Sequence, residues 1–129
     1  DWRAQFTIVH HNGSEVRVDA AHGRKGTSIY NPTHGMVRDA KFGGDCDLYI
    51  TGHTHNFGCF EIDLPEKERS SWLCQIAGYK LVDDFAWTKG FHPATKGASV
   101  LVVIDPNEGV RHCFSDVEAG ADYLKWLRR

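Results

Sequence analysis

Two histidines beside a short apolar stretch are the residues best suited to chemistry in this sequence. Residues 48–50 predict a strand, and Gly52 lets the backbone turn before His53 and His55. On extended backbone, successive side chains alternate sides, so His53 and His55 would project together. Two imidazoles that converge at the carboxyl end of a strand suit a metal ion. The alternative is a solvent-facing strand end with two surface histidines, and the preceding glycine and strand favour the metal.

A second predicted strand also ends in a histidine. Residues 16–21 lead into His22 and Gly23, and the loop continues with Arg24 and Lys25. Glycine-rich loops with exposed amides and cations suit phosphate oxygens, which makes Arg24 and Lys25 candidate substrate contacts. A solvated polar turn explains the loop equally well, and the P-loop pattern is absent.

The elements around these residues predict a crossover unit. Asn-Gly at 12–13, between strand-like residues 5–11 and 14–21, predicts a β-hairpin. Asn31 and Pro32 predict the start of a helix that ends at the glycines at 43–44. His34 lies in its first turn, where it could contact a substrate, although a lone helical histidine is more often exposed or capping. Strand, helix and strand predict a parallel pair, whose carboxyl ends gather ligands.

The rest of the chain reads as further strands and a closing helix. The apolar, β-branched residues 98–104 predict a central strand buried on both faces. Ser115 begins a capping box for a helix. Residues 83–96 are irregular and predict either a lid or an ordered cover over the sheet. Further strands are expected at residues 57–64, 71–77 and 110–114.

The sequence resembles the calcineurin-like metallophosphoesterases at three places. Residues 52–55, Gly-His-Thr-His, match the GHxH signature of that superfamily. Residues 16–23 form a strand ending in His-Gly, where the family places its preceding metal histidine. Residues 76–80 look like the Gly-Thr-Tyr-Lys segment of phage-borne members. The resemblance covers residues 5–105 and implies an α/β fold with a partial β-sandwich flanked by helices, the C-terminal half of an αββα fold.

The departures from the family pattern concern its N-terminal motifs. DxH and GNH are missing, and Gly44-Asp45 lies beside GHxH rather than well before it. The resemblance therefore implies a catalytic centre completed by an N-terminal half that is truncated, separately encoded or absent. No catalytic general acid is assigned, because the family supplies it from GNH.

The chemistry that the resemblance implies is hydrolysis of phosphate esters by two divalent metal ions. By family position, His22 and His53 would bind one ion and His55 the other. Imidazole ligands favour Mn, Zn, Fe or Ni over Mg or Ca. Tyr79 and Lys80, from the segment that resembles phage-borne members, are further expected substrate contacts.

Composition sets the broad class. The chain has 129 residues, 41% of them hydrophobic and 25% charged, which predicts one globular domain over residues 1–129. A net charge of -2 gives no electrostatic argument for nucleic acid, although nucleic acid stays among the phosphorylated substrates considered. No apolar run reaches the length of a membrane span, and we expect no membrane partner and no signal peptide. The four cysteines show no CxxC spacing, so we expect free, buried thiols in a reducing cytoplasm.

Two alternatives belong to other functional classes. The chain could be a non-catalytic binding module, or a split subunit that pairs with a chain carrying the other metal motifs. A lone half would leave part of its sheet uncovered. We therefore expect self-association, or pairing with the N-terminal half or a companion chain, and little activity from the 129 residues alone.

Overall fold

The computed structural model describes residues 2–26, 31–53, 56–78 and 98–129, which form a mixed α/β fold. A five-stranded sheet has the order β1-β2-β3-β5-β4, and β6 and β7 form a separate hairpin. The expected α/β class is confirmed. The elements are β1 Arg3–Val9, β2 Glu15–Ala21, α1 His34–Phe42, β3 Leu48–Thr51, β4 Gly58–Leu64, a 3-10 turn Pro65–Lys67, β5 Arg69–Gln75, β6 Leu101–Asp105, β7 Gly109–Phe114 and α2 Val117–Leu127.

The Asn-Gly hairpin is confirmed, although its turn is longer than two residues. β1 and β2 pair antiparallel from Arg3↔Ala21 to Val9↔Glu15. The loop closes through a hydrogen bond from His10 N to Ser14 O at 2.9 Å. Gly13 alone takes the left-handed conformation in this turn, with φ +86°. A glycine suits that position because it has no Cβ to clash.

The crossover is confirmed, but its helix starts later than the sequence predicts. β2 and β3 pair parallel, with α1 between them in the chain. Thr33, not Asn31, is the residue that precedes α1. The side chain of Asn31 instead accepts hydrogen bonds from Thr33 N at 3.2 Å and from Thr33 Oγ1 at 3.0 Å. Asn31 therefore shapes a local turn ahead of the helix, a common use of asparagine.

Two apolar layers cover the two faces of the five-stranded sheet. α1 packs on one face, where buried side chains from the helix, the segment before β3, β3 itself, β5 and the end of β4 form one cluster: Met36, Ala40, Cys46, Tyr49, Leu64 and Leu73. The β6-β7 hairpin lies against the other face. The buried residues there are Val16, Val18, Leu48, Cys74 and Cys113. The five-stranded sheet is thus the middle layer of the described fold.

The prediction that residues 98–104 form a central strand is wrong. β6 begins at Leu101 and pairs only with β7 among the described strands. Of its five residues only Val103 is fully buried. The apolar run reflects packing between the hairpin, the large sheet and α2, rather than a strand with neighbours on both sides.

The closing helix is present and begins one residue later than expected. Asp116 caps α2, accepting a hydrogen bond from Glu118 N at 2.9 Å. A Cβ added to Gly120 would lie 2.7 Å from Leu101 Cδ2, so α2 packs too closely on β6 for a side chain there. Neither helix in the described parts of the chain has the length and apolar character needed to cross a bilayer.

Candidate metal centre

Three parallel strands end side by side at one edge of the sheet. Ala21 of β2 pairs with Thr51 of β3, and Thr51 pairs with Gln75 of β5. His22 directly follows the first of these residues, and His53 lies two residues after the second. Carboxyl ends of parallel strands are where α/β sheets gather ligands. The topology therefore brings the two histidines to one place.

The imidazoles of His22 and His53 are in direct contact. His22 Nε2 lies 3.3 Å from His53 Nδ1, and the ring centroids are 4.6 Å apart in an edge-to-face arrangement. Nitrogens about 2.0–2.1 Å from one tetrahedral ion would lie about 3.3–3.4 Å apart. The observed separation fits two ligands of one ion as well as it fits a hydrogen bond between the rings.

The backbone of His53 is left-handed, not extended as the sequence reasoning assumed. Its φ is +84°, one of two positive values at non-glycine residues in the described parts of the chain. A non-glycine residue held there costs about 1–3 kcal/mol, and such strain concentrates at functional sites. The turn begins at Gly52, whose N donates to Ala21 O at 3.3 Å. This conformation is what turns the His53 ring towards His22.

Arg24, expected to contact substrate, points into the protein. Its side chain is only 4% exposed. The guanidinium donates to Asp19 Oδ1 at 2.7 Å, to Asp39 Oδ2 at 2.8 Å and to Thr51 Oγ1. It also reaches the carbonyl oxygen of Ile50 at 3.2 Å. Arg24, two residues after His22, therefore joins β2, β3 and α1, which is a structural role.

Asp19 is the buried centre of this charged network. The alternation of β2 predicts a solvent-facing carboxylate, yet Asp19 is 0% exposed because α1 and β1 side chains cover that face. Burial alone would raise the pKa of Asp19. Hydrogen bonds from Arg3, Gln5 and Arg24 outweigh burial and lower that pKa below its ordinary value. The ionised carboxylate thus anchors the segment that carries His22.

Gln75 holds the backbone just before His53, a role that the sequence did not predict. Its buried side chain donates through Nε2 to Gly52 O at 3.2 Å, one residue before His53. Gln75 Oε1 is buried and has no hydrogen-bond partner within the described residues. The one available signal was a polar residue directly after the apolar residues 72–74 of this strand.

The other predicted substrate contacts are only partly placed. Lys25 is exposed, and its carbonyl oxygen accepts a hydrogen bond from Arg38 at 3.3 Å. His34 is exposed at the start of α1, beside Gly26. Lys25 and His34 therefore lie near one another on the surface. His55, Tyr79, Lys80 and the irregular residues 83–96 lie outside the described residues.

Two histidines alone do not complete a metal site. Across residues 2–26, 31–53, 56–78 and 98–129, no third histidine, cysteine or carboxylate groups with His22 and His53 within 4.8 Å. Protein metal sites of this kind use three or four ligands. The pair therefore fits part of a coordination shell.

Comparisons with known proteins leave the family open. No protein-family model, curated protein or solved structure matches this chain.

Proposed function

We propose that this chain contributes to the metal-dependent hydrolysis of phosphate esters, with His22 and His53 holding one divalent cation and His55 a second. One observation carries the proposal. The imidazole nitrogens of His22 and His53 lie 3.3 Å apart at the carboxyl ends of adjacent parallel strands. The GHxH resemblance supplies the reaction class.

The backbone around the pair favours a binding role over simple packing. A hydrogen bond between two surface imidazoles is worth about 0.5–1.5 kcal/mol, while the left-handed backbone of His53 costs about 1–3 kcal/mol. At the middle of these ranges, the strain costs more than the contact between the rings contributes. A metal ion shared by both rings would contribute a much larger interaction.

The residues around the pair hold the two rings in position. The main chain of His22 donates to Trp2 O at 3.0 Å, and Arg24 fixes the segment that follows. Gln75 fixes the carbonyl of Gly52 ahead of His53. When bound, a pair of divalent cations supplies charge stabilisation and a more acidic water. This proposal assigns the carboxylate ligands and the general acid to an N-terminal half or companion chain.

Metal binding by the chain itself is the first test. Mn²⁺ added well below stoichiometry should broaden the imidazole NMR signals of His22 and His53 before those of His11, an exposed histidine in the hairpin turn. His53→Ala should abolish the selective broadening of His22, and His11→Ala should leave it intact. Equal broadening of all histidines, or none, would contradict the proposal.

Hydrolysis is tested on the complete gene product. We expect Mn²⁺-dependent cleavage of a nitrophenyl phosphomonoester or phosphodiester, lost in His53→Ala and retained in His11→Ala. Cleavage that His53→Ala leaves unchanged would rule out the assigned role. The same panel separates phosphatase from phosphodiesterase activity.

A second candidate is a non-catalytic or split subunit that pairs with another chain. Among the described strands, β1 is an edge strand, and two large apolar side chains on or directly before it are in solvent: Phe6 is 50% exposed and Trp2 is 60% exposed. An unpaired edge with exposed aromatic residues is a ready surface for association. Self-association or a companion chain thus stays compatible with both candidates. Light scattering across a concentration series, compared with Phe6→Lys, measures this association directly.

A further inference from the structure

Three of the four cysteines meet at one point, although they are far apart in the sequence. Cys59 of β4 and Cys74 of β5 are direct cross-strand partners, and their sulfur atoms lie 2.8 Å apart. Cys113 of β7 approaches from the other sheet. All three Sγ atoms lie within 4.8 Å of one another. Cys46, the fourth cysteine, belongs to the apolar cluster under α1.

The surroundings of this cysteine trio exclude water on two sides. Cys74 and Cys113 are buried in the layer between the large sheet and the hairpin, whereas Cys59 is half-buried. The ring of His112 lies beside the trio, with its Nδ1 2.8 Å from Cys113 O and its centroid 4.9 Å from that of Trp72. Within the described parts of the chain, Cys59 is thus the most accessible cysteine of the trio.

The three thiols are coupled through hydrogen bonds. Bonds donated by Cys113 and Cys74 lower the pKa of Cys59 to about 4. Sulfur contacts and burial raise the pKa of Cys74 and Cys113 above the ordinary value. The three sulfur atoms therefore interact with one another, and their convergence at one point is the geometry that a metal site requires.

We propose that Cys59, Cys74 and Cys113 form a three-thiolate site for a thiophilic d10 metal ion, such as Zn(II) or Cu(I). Three convergent sulfur ligands select ions of this class over Mg or Ca. Thiolates about 2.3 Å from one ion lie about 3.8–4.0 Å apart. The sulfur atoms of Cys59 and Cys74, 2.8 Å apart, would have to separate by about 1 Å to reach that range, and all three sulfur atoms already lie within 4.8 Å of one another.

The site is chemically separate from the histidine pair. Binding replaces the thiol protons, which pass to solvent, and no electron changes hands. A fourth ligand for Zn(II), such as water, would enter beside Cys59. This inference does not depend on phosphate ester chemistry, and each site can fail without the other.

Cadmium is the probe that tests the site, because its thiolate complexes absorb in the ultraviolet and its imidazole complexes do not. The chain is kept reduced and carries His22→Ala and His53→Ala, so the histidine pair cannot compete. We expect a thiolate-to-metal charge-transfer band that saturates at one cadmium ion per chain. Loss of a residue that only contacts a metal ligand already costs about 10–100-fold in affinity. Loss of a direct ligand should therefore weaken binding at least tenfold in each of three variants: Cys59→Ser, Cys74→Ser and Cys113→Ser.

Cys46→Ser is the matched control and should leave the titration unchanged. Circular dichroism checks that each variant is folded, and the titration of the parent protein stands without any cysteine variant. An absent band in the parent protein would overturn the proposal. So would equal weakening by Cys46→Ser, or a Cys59–Cys74 disulfide that persists under reductant.

Discussion

The histidine pair and the cysteine trio are held in opposite ways. His22 and His53 lie at the rim of the sheet, over a network of charges centred on Asp19 and Arg24. The cysteine trio lies between two sheets, among apolar side chains. Directional hydrogen bonds and ion pairs position the histidine pair at the rim, whereas close packing of apolar side chains positions the cysteine trio in the interior. The two regions should therefore respond differently to loss of charge, to acid and to loss of volume.

The largest effect is expected from Asp19→Ala. This change leaves the guanidinium of Arg24, only 4% exposed, without its buried partner. Breaking a buried ion pair from one side costs about 3–5 kcal/mol. Urea denaturation should show a loss of that size in the free energy of unfolding.

Asp45→Ala is the matched control for this charged network. Asp45 also pairs with two arginines, Arg17 and Arg69, but its side chain is 70% exposed. Exposed ion pairs contribute about 0–1 kcal/mol. Similar losses in Asp19→Ala and Asp45→Ala would show that the buried network does not hold the rim.

Acid should weaken the rim through the same carboxylate. The folded pKa of Asp19 is lowered, so its contribution is complete above the unfolded value and is lost as pH falls through the folded one. Below about pH 5, the free energy of unfolding should fall more steeply in the native chain than in Asp19→Asn. Parallel pH profiles for the two proteins would contradict the account.

The interior should respond to lost volume with a smaller effect. Cys74→Ala removes one buried atom from the trio, and Cys46→Ala does the same under α1. Each should cost about 1 kcal/mol, similar to loss of a buried methyl group. Equal stability losses with cadmium binding lost only in Cys74→Ala would separate packing from binding. Retained cadmium binding in Cys74→Ala would contradict the three-thiolate assignment.

The smallest effect concerns backbone strain at the rim. His53→Gly should be more stable than His53→Ala by about 0.5–1 kcal/mol, because glycine accepts a φ of +84° without a Cβ clash. Glu68, with φ +54° beside the 3-10 turn, is the control position outside both sites. Thermal unfolding compares His53→Gly with His53→Ala, and Glu68→Gly with Glu68→Ala. A less stable His53→Gly would show that His53 is not strained.

The meeting of His22 and His53 at the rim was predictable from the sequence because it depends on the local order of residues along the chain. A strand, a turn and a histidine occur within a few residues, and parallel pairing then fixes where they meet. Gly52 and the crossover helix were sufficient signals for His22 and His53. The left-handed backbone of His53 was not predictable, since histidine carries no preference strong enough to indicate it.

The cysteine trio could not be located from the sequence in the same way. The Cys59–Cys74 pair depends on the register of one hairpin, whereas Cys113 joins it only through the stacking of two sheets. No local pattern encodes that stacking. For the same reason, Asp19 was expected in solvent: the alternation of β2 gives its two faces but not the helix that covers one of them. Residues 98–104 were predicted to form a central strand because an apolar, β-branched run does not indicate which strands it pairs with.

The central claim is that His22 and His53 share one metal ion, and anomalous diffraction tests it most directly. Crystals grown with Mn²⁺ and measured on both sides of the manganese absorption edge locate the ion without reference to the protein. We expect one anomalous peak about 2.0–2.3 Å from both His22 Nε2 and His53 Nδ1. A crystal with manganese bound elsewhere, and the two nitrogens still joined at about 3.3 Å with no peak between them, would contradict it.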